Sequence, residues 1–406
     1  QSIENKPNIP SGPDPNLRIE GGVLKGYNEW PSGALVIPAG VTEIANYAFQ
    51  YCSSLTQVNF PASLTKIGSD AFSGCTGLTS LSLPASLEKL DNYAFSGCTE
   101  ITGTVAIPAS LKYIDYYAFE NCNKVDAFDF THCTQLTEIS YMAFAECTKI
   151  TQVNLPASLK TIKGDAFDDC PELTKLTVHS DNKSLKSENN IIYTYDERQA
   201  LCCARTIPSV DFPPSLTQIA DWAFKYCKRL KELKLPDNVE TLGFQAFYGC
   251  DGIMGTVHLP KNLKTIGIGA FDGCNNVAGF DLSKCNELSS IGGRAFANCM
   301  KIKEVHLPEK LEEIVGNAFS GCTELATITV DSANASFTVK DNTVYDKGGK
   351  KLLCSARAIT SFNFPADITE IGRGAFSGCE KLTAANLSSC TALKTIAADA
   401  FFGCAS

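Results

Sequence analysis

The chain has 406 residues, a length that predicts either several domains or one elongated repeat array. Hydrophobic residues make up 44% of it and charged residues 19%, which excludes a disordered protein. The formal net charge is −9 with both signs mixed along the chain, so neither nucleic acid nor an anionic membrane surface is an expected partner. No apolar run approaches the roughly 18 residues that a membrane span needs.

Residues 1–18 form the first segment, which we predict to be a flexible leader. It opens QSIENKPNIPSGPDP, in which four prolines and a glycine stand among mostly polar residues. The segment has no initiator methionine and no signal peptide, as expected at the start of a mature exported chain, although a trimmed chain would begin in the same way.

A repeat fills residues 19–406, which we predict to be a single solenoid domain. The pattern Ala-Phe-x-x-Cys occurs thirteen times, and ten of the twelve steps between its phenylalanines are 23, 24 or 25 residues. A fixed period in this range is typical of a solenoid, in which each unit buries its apolar face against its neighbours. The phenylalanines are Phe49, Phe72, Phe95, Phe119, Phe144, Phe167, Phe224, Phe247, Phe271, Phe296, Phe319, Phe376 and Phe401.

One unit, residues 64–84, shows the predicted elements of each coil. Its sequence is LTKIGSDAFSGCTGLTSLSLP, and residues 78–83 have the L-x-x-L-x-L pattern of a leucine-rich repeat, with a short strand where apolar residues alternate. The apolar spacing around Ala71–Cys75 predicts one or two tight helical turns. Leu64 and Ile67 are expected on the opposite wall, as a second short strand.

The two remaining steps, of 57 residues each, reveal an internal duplication with a period of 152 residues. Each contains a 34-residue variant unit that we predict to be a β-hairpin unit, over residues 178–212 and 330–364, with turns at Asp196–Arg198 and Lys347–Gly349. Fifteen strand positions can be aligned along the chain. The sequence therefore predicts a right-handed leucine-rich repeat solenoid of about fifteen coils, an α/β repeat built mostly from short parallel β-strands.

Thirteen of the nineteen cysteines fall in one column of the repeat. Neighbours in this column should have Cβ atoms about 4.8 Å apart, whereas a disulfide needs about 3.8 Å, and no zinc-ligand spacing occurs. We interpret these cysteines as small buried hydrophobes that pack beneath the phenylalanines. The structural residues predicted with this column are Phe72, Cys75, Phe95, Cys98, Phe319, Cys322, Phe376 and Cys379.

Candidate chemistry is sparse. His258, Asp281 and His306 are outward residues of three successive strands, so they could form a ladder that binds a divalent metal or titrates near neutral pH. The alternative is a solvated polar ladder, which we favour because the first copy has Ala106 and Asn154 in place of the histidines. We predict no catalytic residues, no metal and no cofactor.

Aromatic residues cluster beside the Ala-Phe turns instead of on the strands. This composition is typical of protein interfaces. The alternative, which we favour, is that the same rings cover the apolar edge of their own turn. The candidate partner-binding residues are Tyr47, Tyr51, Tyr93, Tyr117, Trp222, Tyr226 and Tyr248.

The unit L-x-x-I-x-x-x-A-F-x-x-C-x-x-L-x-x-L-x-L-P resembles the BspA-like class of leucine-rich repeats, and the resemblance covers roughly residues 19–404. It implies an exported or cell-surface protein, often tethered by a lipid or wall anchor, and it carries over no catalytic residue. It also implies binding of host or bacterial proteins, as in adhesion to extracellular matrix.

We therefore expect a non-enzymatic, monomeric surface protein that binds a protein ligand through its solenoid. A glycan-binding surface protein is the alternative.

Overall fold

A computed structural model describes residues 14–404. Most of the predicted leader lies outside the described residues, and the first strand, Leu17–Glu20, begins within the leader's predicted bounds. The chain divides into two compact units, here called the first unit (residues 1–195 and 202–205) and the second unit (residues 196–201 and 206–406). The prediction of one domain over residues 19–406 stays a prediction, and each unit is described by itself.

The first unit is built almost entirely from short strands. In chain order they are β1 (Leu17–Glu20), β2 (Val23–Tyr27), β3 (Gly33–Val36), β4 (Glu43–Ile44), β5 (Leu55–Asn59), β6 (Lys66–Ile67), β7 (Lys89–Leu90), β8 (Gly103–Ala106), β9 (Tyr113–Ile114), β10 (Val125–Asp129), β11 (Glu138–Ile139), β12 (Gln152–Leu155), β13 (Thr161–Ile162), β14 (Lys175–Val178), β15 (Leu185–Glu188) and β16 (Ile191–Thr194).

One wall of the first unit is an eight-stranded sheet of order β1-β2-β4-β6-β7-β9-β11-β13. After the β1–β2 hairpin, each two-residue strand pairs in parallel with its counterpart in the next coil, as Ile67 with Leu90 and Leu90 with Ile114. The first residue of each two-residue strand is polar, and the second is an aliphatic residue buried in the core. The predicted second short strand on this wall, around Ile67, is confirmed.

The opposite wall is an interrupted ladder. Its strands pair in parallel as β3 with β5, β8 with β10, and β12 with β14. The segment at Leu81–Leu83, predicted as a strand, lies on this wall without regular strand pairing. Antiparallel β15 and β16 follow, joined by Asn189 and Asn190, which both adopt the left-handed conformation of a tight hairpin turn.

The second unit repeats this plan. Its strands are β17 (Gln199–Cys203, the last two residues of which belong to the first unit), β18 (Gln218–Ile219), β19 (Thr241–Leu242), β20 (Gly255–His258), β21 (Thr265–Ile266), β22 (Val277–Asp281), β23 (Ser290–Ile291), β24 (Glu304–Leu307), β25 (Glu313–Ile314), β26 (Thr327–Val330), β27 (Phe337–Lys340), β28 (Thr343–Asp346), β29 (Lys351–Ser355), β30 (Phe362–Asn363), β31 (Glu370–Ile371), β32 (Ala385–Asn386) and β33 (Thr395–Ile396).

Within the second unit, β18, β19, β21, β23 and β25 form a parallel ladder, and the other wall consists of the pairs β20–β22, β24–β26 and β30–β32. Strands β27, β28 and β29 make an antiparallel meander that continues in parallel to β31 and β33. The predicted turn at Lys347–Gly349 closes its second hairpin, where Gly349 N donates to Asp346 O.

The core of each unit is a column of stacked rings. In the first unit, the rings of Phe49, Phe72, Phe95, Phe119, Phe144 and Phe167 lie nearly parallel, with neighbouring centroids 5.2 to 5.8 Å apart. In the second unit, Phe224, Phe247, Phe271, Phe296 and Phe319 stack in the same way. This spacing exceeds the ~4.8 Å between paired strands and suits offset stacking. The leucine-rich repeat solenoid predicted from the sequence is confirmed.

The helical turns predicted around the Ala-Phe motif are largely absent from residues 14–404. Only Gly316–Phe319 forms a single turn of 3₁₀ helix there, and elsewhere the motif makes hydrogen-bonded turns. The reason is that the turns direct backbone N–H groups toward the next coil, as Phe72 N to Ala94 O, so an intrahelical bond is replaced by one between coils. No helix among the described residues is long and apolar enough to cross a bilayer.

Candidate interaction surface

The Ala-Phe-x-x-Cys turns form one continuous edge of each unit. We take as a turn octet the eight residues that end at the motif cysteine, for example residues 68–75. The first turn surface consists of octets 45–52, 68–75, 91–98, 115–122, 140–147 and 163–170. The second turn surface consists of octets 220–227, 243–250, 267–274, 292–299, 315–322, 372–379 and 397–404.

Two residues of most octets adopt the left-handed conformation. They are the third and the seventh, as at Asp70 (φ 55°) and Gly74 (φ 69°). Left-handed backbone favours glycine, because a Cβ atom there crowds the neighbouring carbonyl, and it tolerates asparagine, whose short polar side chain can hydrogen-bond locally. The glycine of AFSGC is therefore explained by the turn, while Ala71, Phe72 and Cys75 point into the core, where all are fully buried.

Aromatic side chains occupy these left-handed positions at six places. The residues are Tyr47, Tyr51, Tyr93, Tyr117, Trp222 and Tyr226, with φ between 56° and 61°. A bulky side chain at such a position is an outlier that costs of order 1–2 kcal/mol. Tyr47 and Tyr51 are 61% and 63% exposed, so the core does not require them.

The rings of the first turn surface meet in pairs. Tyr93 stacks on Tyr117 with centroids 4.6 Å apart and planes 4° from parallel, and Tyr116 stacks on Tyr141 at 5.4 Å. The ring of Tyr51 lies over Gly74, where an added Cβ atom would come within 2.4 Å of it. This face therefore presents a run of partly exposed aromatic rings over successive coils.

Trp222 and Tyr226 of the second turn surface contact neighbouring residues of that surface. Trp222 Nε1 donates to Gln245 at 3.1 Å, and the Trp222 ring packs against Phe244 at 5.0 Å. Tyr226 meets Tyr248 edge-on at 5.4 Å. These contacts agree with the interpretation that the rings of Trp222, Tyr226 and Tyr248 cover the apolar edge of their own turns. That the candidate aromatic residues bind a partner stays a prediction.

Carboxylates perturb the tyrosines of the first turn surface. Burial raises the pKa of Tyr93 and Tyr117, and the nearby charge of Glu120 raises the pKa of both further. Glu120 accepts a hydrogen bond from Ser96 at 2.9 Å, and its own pKa is raised mainly by burial. The surface is thus aromatic and negatively charged at the same time.

All nineteen cysteines lie within the described residues, none of them forms a disulfide, and eighteen are buried. Most motif thiols also contribute a hydrogen bond between coils: Cys75 Sγ donates to Phe49 O at 3.1 Å, and Cys98 Sγ donates to Phe72 O at 3.1 Å. Burial raises the pKa of Cys75 and Cys122 to about 12, so these thiols are not nucleophiles at neutral pH. The cysteine column is a set of small side chains that are also donors.

The structure brings together two of the three candidate metal ligands and leaves His306 apart. His258 Nδ1 lies 2.8 Å from Asp281 Oδ2, whereas His306 Nδ1 lies 2.8 Å from the hydroxyl of Thr329. Over residues 14–404, no three His, Cys, Asp or Glu side chains have a geometry that could hold a metal ion. Asp281 is instead held by the hydroxyl and amide of Ser283, which together with His258 lower its pKa to about 2. These residues line an open groove of about 770 Å³.

Sequence reasoning missed two buried arginines, Arg205 and Arg357, which occupy the same position in the two hairpin units. Arg357 is fully buried and donates to the carbonyls of Ser355 and Ala375 at 2.7 Å. Arg205 is 7% exposed, and its Nε lies 3.4 Å from the buried carboxylate of Asp168. The shared Ala-Arg at 204–205 and 356–357 was the only available signal, and it gives no hint of burial.

The repeat is also found when the sequence is compared with known protein families. A family model described as the BspA type leucine rich repeat region, in six copies, matches residues 27–134, 74–191, 197–326, 282–342 and 347–406. No curated protein matches the sequence.

Several solved structures are similar to this one. A leucine-rich cell surface protein from Faecalibacterium prausnitzii is 23% identical, with 79% of this chain and 96% of that chain covered and a TM-score of 0.62. The pneumococcal vaccine antigen PcpA is 22% identical, with 79% and 93% covered and a TM-score of 0.58. A leucine-rich repeat protein from Eubacterium ventriosum is 20% identical, with 94% and 90% covered and a TM-score of 0.55. At these identities the likeness shows the fold.

Proposed function

Because the chain belongs to the family of BspA-type leucine-rich repeat proteins, we propose that it is an exported, cell-surface protein that mediates adhesion by binding another protein. The ligand is a host extracellular-matrix or surface protein, and the binding site is the first turn surface. The protein acts as a monomer and without catalysis.

Support for a non-enzymatic role comes from the chemistry of the reactive groups. The thiols, the most nucleophilic side chains in the chain, are engaged in the core and have raised pKa values. The His258–Asp281 pair lies on the open strand face, with the His258 side chain 75% exposed to water. Neither arrangement offers the enclosed, convergent groups that catalysis needs.

The observation that carries the proposal is the placement of exposed tyrosines at strained backbone positions. At Tyr47 and Tyr51 the left-handed conformation would be better served by asparagine or glycine, which occupy equivalent positions in other coils, such as Asn121 and Gly97. Folding alone therefore does not account for a large exposed ring at these places. Tyrosine is enriched in protein interfaces, where it offers a large contact area at low entropic cost.

The proposal is tested by replacing both residues together, as Tyr47→Asn and Tyr51→Asn. Asparagine tolerates the left-handed conformation, so thermal stability should be unchanged or slightly higher, while the rings are lost. Binding of the variant to immobilised matrix proteins and host-cell surface extracts is compared with that of the native chain, and bound proteins are identified by mass spectrometry. We expect at least a tenfold loss of affinity for the captured ligand, as for removal of two interface hot spots.

Tyr195→Asn is the matched control, because Tyr195 is 53% exposed but lies in a hairpin unit outside the turn surface. It should bind like the native chain. Equal binding by the Tyr47 and Tyr51 variant would refute the proposed site. Binding to glycan arrays together with failure to bind any protein would favour the glycan-binding alternative.

A further inference from the structure

The two turn surfaces share a backbone plan but differ in charge. The octets of the first turn surface contain eight acidic residues and a single basic one, Lys163. They also contain six tyrosines. The acidic residues are Asp70, Asp91, Asp115, Glu120, Glu146, Asp165, Asp168 and Asp169, and the tyrosines are Tyr47, Tyr51, Tyr93, Tyr116, Tyr117 and Tyr141.

The second turn surface serves as an internal reference. Its seven octets contain three acidic residues, Asp221, Asp272 and Asp399, and three basic ones, Lys225, Arg294 and Arg373. Since both surfaces make the same turns and the same stacked cores, the excess of carboxylates on the first is not a requirement of the fold. It is a property of that face.

Backbone hydrogen bonds fix these residues side by side. Asp70 N donates to Asn92 O at 2.9 Å, Tyr93 N donates to Tyr116 O at 2.8 Å, and Tyr117 N donates to Tyr141 O at 3.1 Å. Successive octets are therefore in register, and their side chains form one surface spaced by the coil repeat of about 4.8 Å.

Most of the charge on this surface is not neutralised within the protein. Among the described residues, five carboxylates have no ion pair with a basic side chain; they are Asp70, Asp115, Glu120, Glu146 and Asp169. Burial is the main cause of the raised pKa of Glu120 and of Asp91, and a neighbouring carboxylate raises each further: Glu146 acts on Glu120, and Asp115 acts on Asp91. A cation placed over this face would relieve the repulsion.

The surface already shows how it receives a cation. Lys163, its only basic residue, holds its Nζ 5.1 Å from the centre of the Tyr141 ring. An ammonium or guanidinium group over a tyrosine ring gains a cation–π interaction, and adjacent carboxylates add a charge-assisted hydrogen bond. Tyrosines and carboxylates occur together in three successive octets of this surface, at residues 91–98, 115–122 and 140–147.

We propose that the first turn surface binds a lysine- and arginine-rich segment of the partner protein, whose basic side chains lie over the tyrosines and between the carboxylates. This inference deepens the proposed function and rests on it. An electrostatically steered encounter of this kind is weakened by salt.

The test uses the full chain and a fluorescent oligolysine peptide, with oligoglutamate of equal length as the negative probe. Four carboxylates of the surface are neutralised together by Asp70→Asn, Asp115→Asn, Glu120→Gln and Glu146→Gln. The matched control neutralises four exposed carboxylates of the second unit that lie outside its turn octets, by Glu309→Gln, Glu312→Gln, Glu324→Gln and Glu380→Gln. Both variants therefore have the same net charge.

We expect the native chain to bind oligolysine and not oligoglutamate, with affinity falling as salt is raised. The surface variant should bind oligolysine about tenfold more weakly, because four carboxylates each lose a modest interaction with the peptide. The control variant should bind oligolysine nearly as the native chain does. Circular dichroism spectra of both variants verify folding. Equal weakening in the two variants would mean that only net charge matters and would overturn the proposal, as would the absence of oligolysine binding.

The protein ligand captured by the native chain separates this inference from the proposed function. If the tyrosine variant loses that ligand and the carboxylate variant keeps it, the binding function stands and the basic-partner inference is wrong. If the tyrosine variant also keeps the ligand, the proposed binding site itself is wrong.

Discussion

Replacing the buried Arg357 with methionine should destabilise the second unit by about 3–5 kcal/mol. The guanidinium group is fully buried and donates to five backbone carbonyls, those of Gly316, Phe319, Ser355, Gly374 and Ala375. These carbonyls belong to three successive parts of the chain, so one side chain joins the coil before the hairpin, the hairpin itself and the coil after it.

The magnitude follows from two opposing contributions. Hydrogen bonds from a charged donor are worth about 1.5–3 kcal/mol each, so five of them amount to roughly 8–15 kcal/mol. Desolvation of the guanidinium opposes this by several kcal/mol, and methionine recovers some apolar packing. The remaining loss is about 3–5 kcal/mol, because the carbonyls are left without their donor.

Urea unfolding of the native chain and of Arg357→Met, followed by circular dichroism, measures the change. Hydrogen exchange at β27, β28 and β29 measures the local stability of the hairpin unit. This second measurement is needed because cooperativity in repeat proteins can be limited to neighbouring units. Arg373→Met is the control: its side chain is 68% exposed and should change stability by less than about 0.5 kcal/mol. Equal stability of Arg357→Met and the native chain, with unchanged exchange in the hairpin, would refute the reasoning.

Three further predictions concern the thiols and one carboxylate. Cys98→Ala should lower the free energy of unfolding by about 1–3 kcal/mol, because it removes a buried atom and the donor to Phe72 O, and a urea midpoint equal to the native one would contradict this. In the native chain a maleimide reagent should label one thiol rapidly, Cys404, which is only partly buried, whereas all nineteen should react in urea; rapid labelling of several native thiols would contradict the buried column. The folded-state pKa of Asp281 is depressed to about 2, so its stabilising contribution is present above about pH 4 and is lost as the pH falls toward 2. Asp281→Asn should flatten acid unfolding between these values, and an unchanged acid-unfolding curve would rule the contribution out.

Much of the fold could be predicted from the spacing of one motif. Each coil is joined to the next by backbone hydrogen bonds at a fixed distance, so a constant number of residues per turn returns the same side chain to the same column. The burial of Phe72 and Cys75 and the pairing of Ile67 follow from that spacing. The hydrogen bond that most motif thiols donate to the preceding coil does not, because it depends on where the carbonyl of that coil points.

The polar ladder shows where spacing stops being sufficient. Adjacent positions in the repeat placed His258, Asp281 and His306 in one row, and the pair His258–Asp281 indeed lies within 2.8 Å. However, the strand wall is interrupted, because β20 pairs with β22 and β24 pairs with β26. His306 therefore belongs to a separate sheet and bonds to Thr329.

The solenoid, its hairpin units and the composition of its core could be predicted from the sequence, since these depend only on a periodic order of apolar residues along the chain. The left-handed backbone of Tyr47 and Tyr51, the lack of ion pairs within the described residues at carboxylates such as Asp70 and Glu120, and the burial of Arg357 could be seen only in the structure. Those features depend on side chains of different coils meeting in space. Local sequence carries no information about a neighbour twenty or more residues away until the coils have stacked.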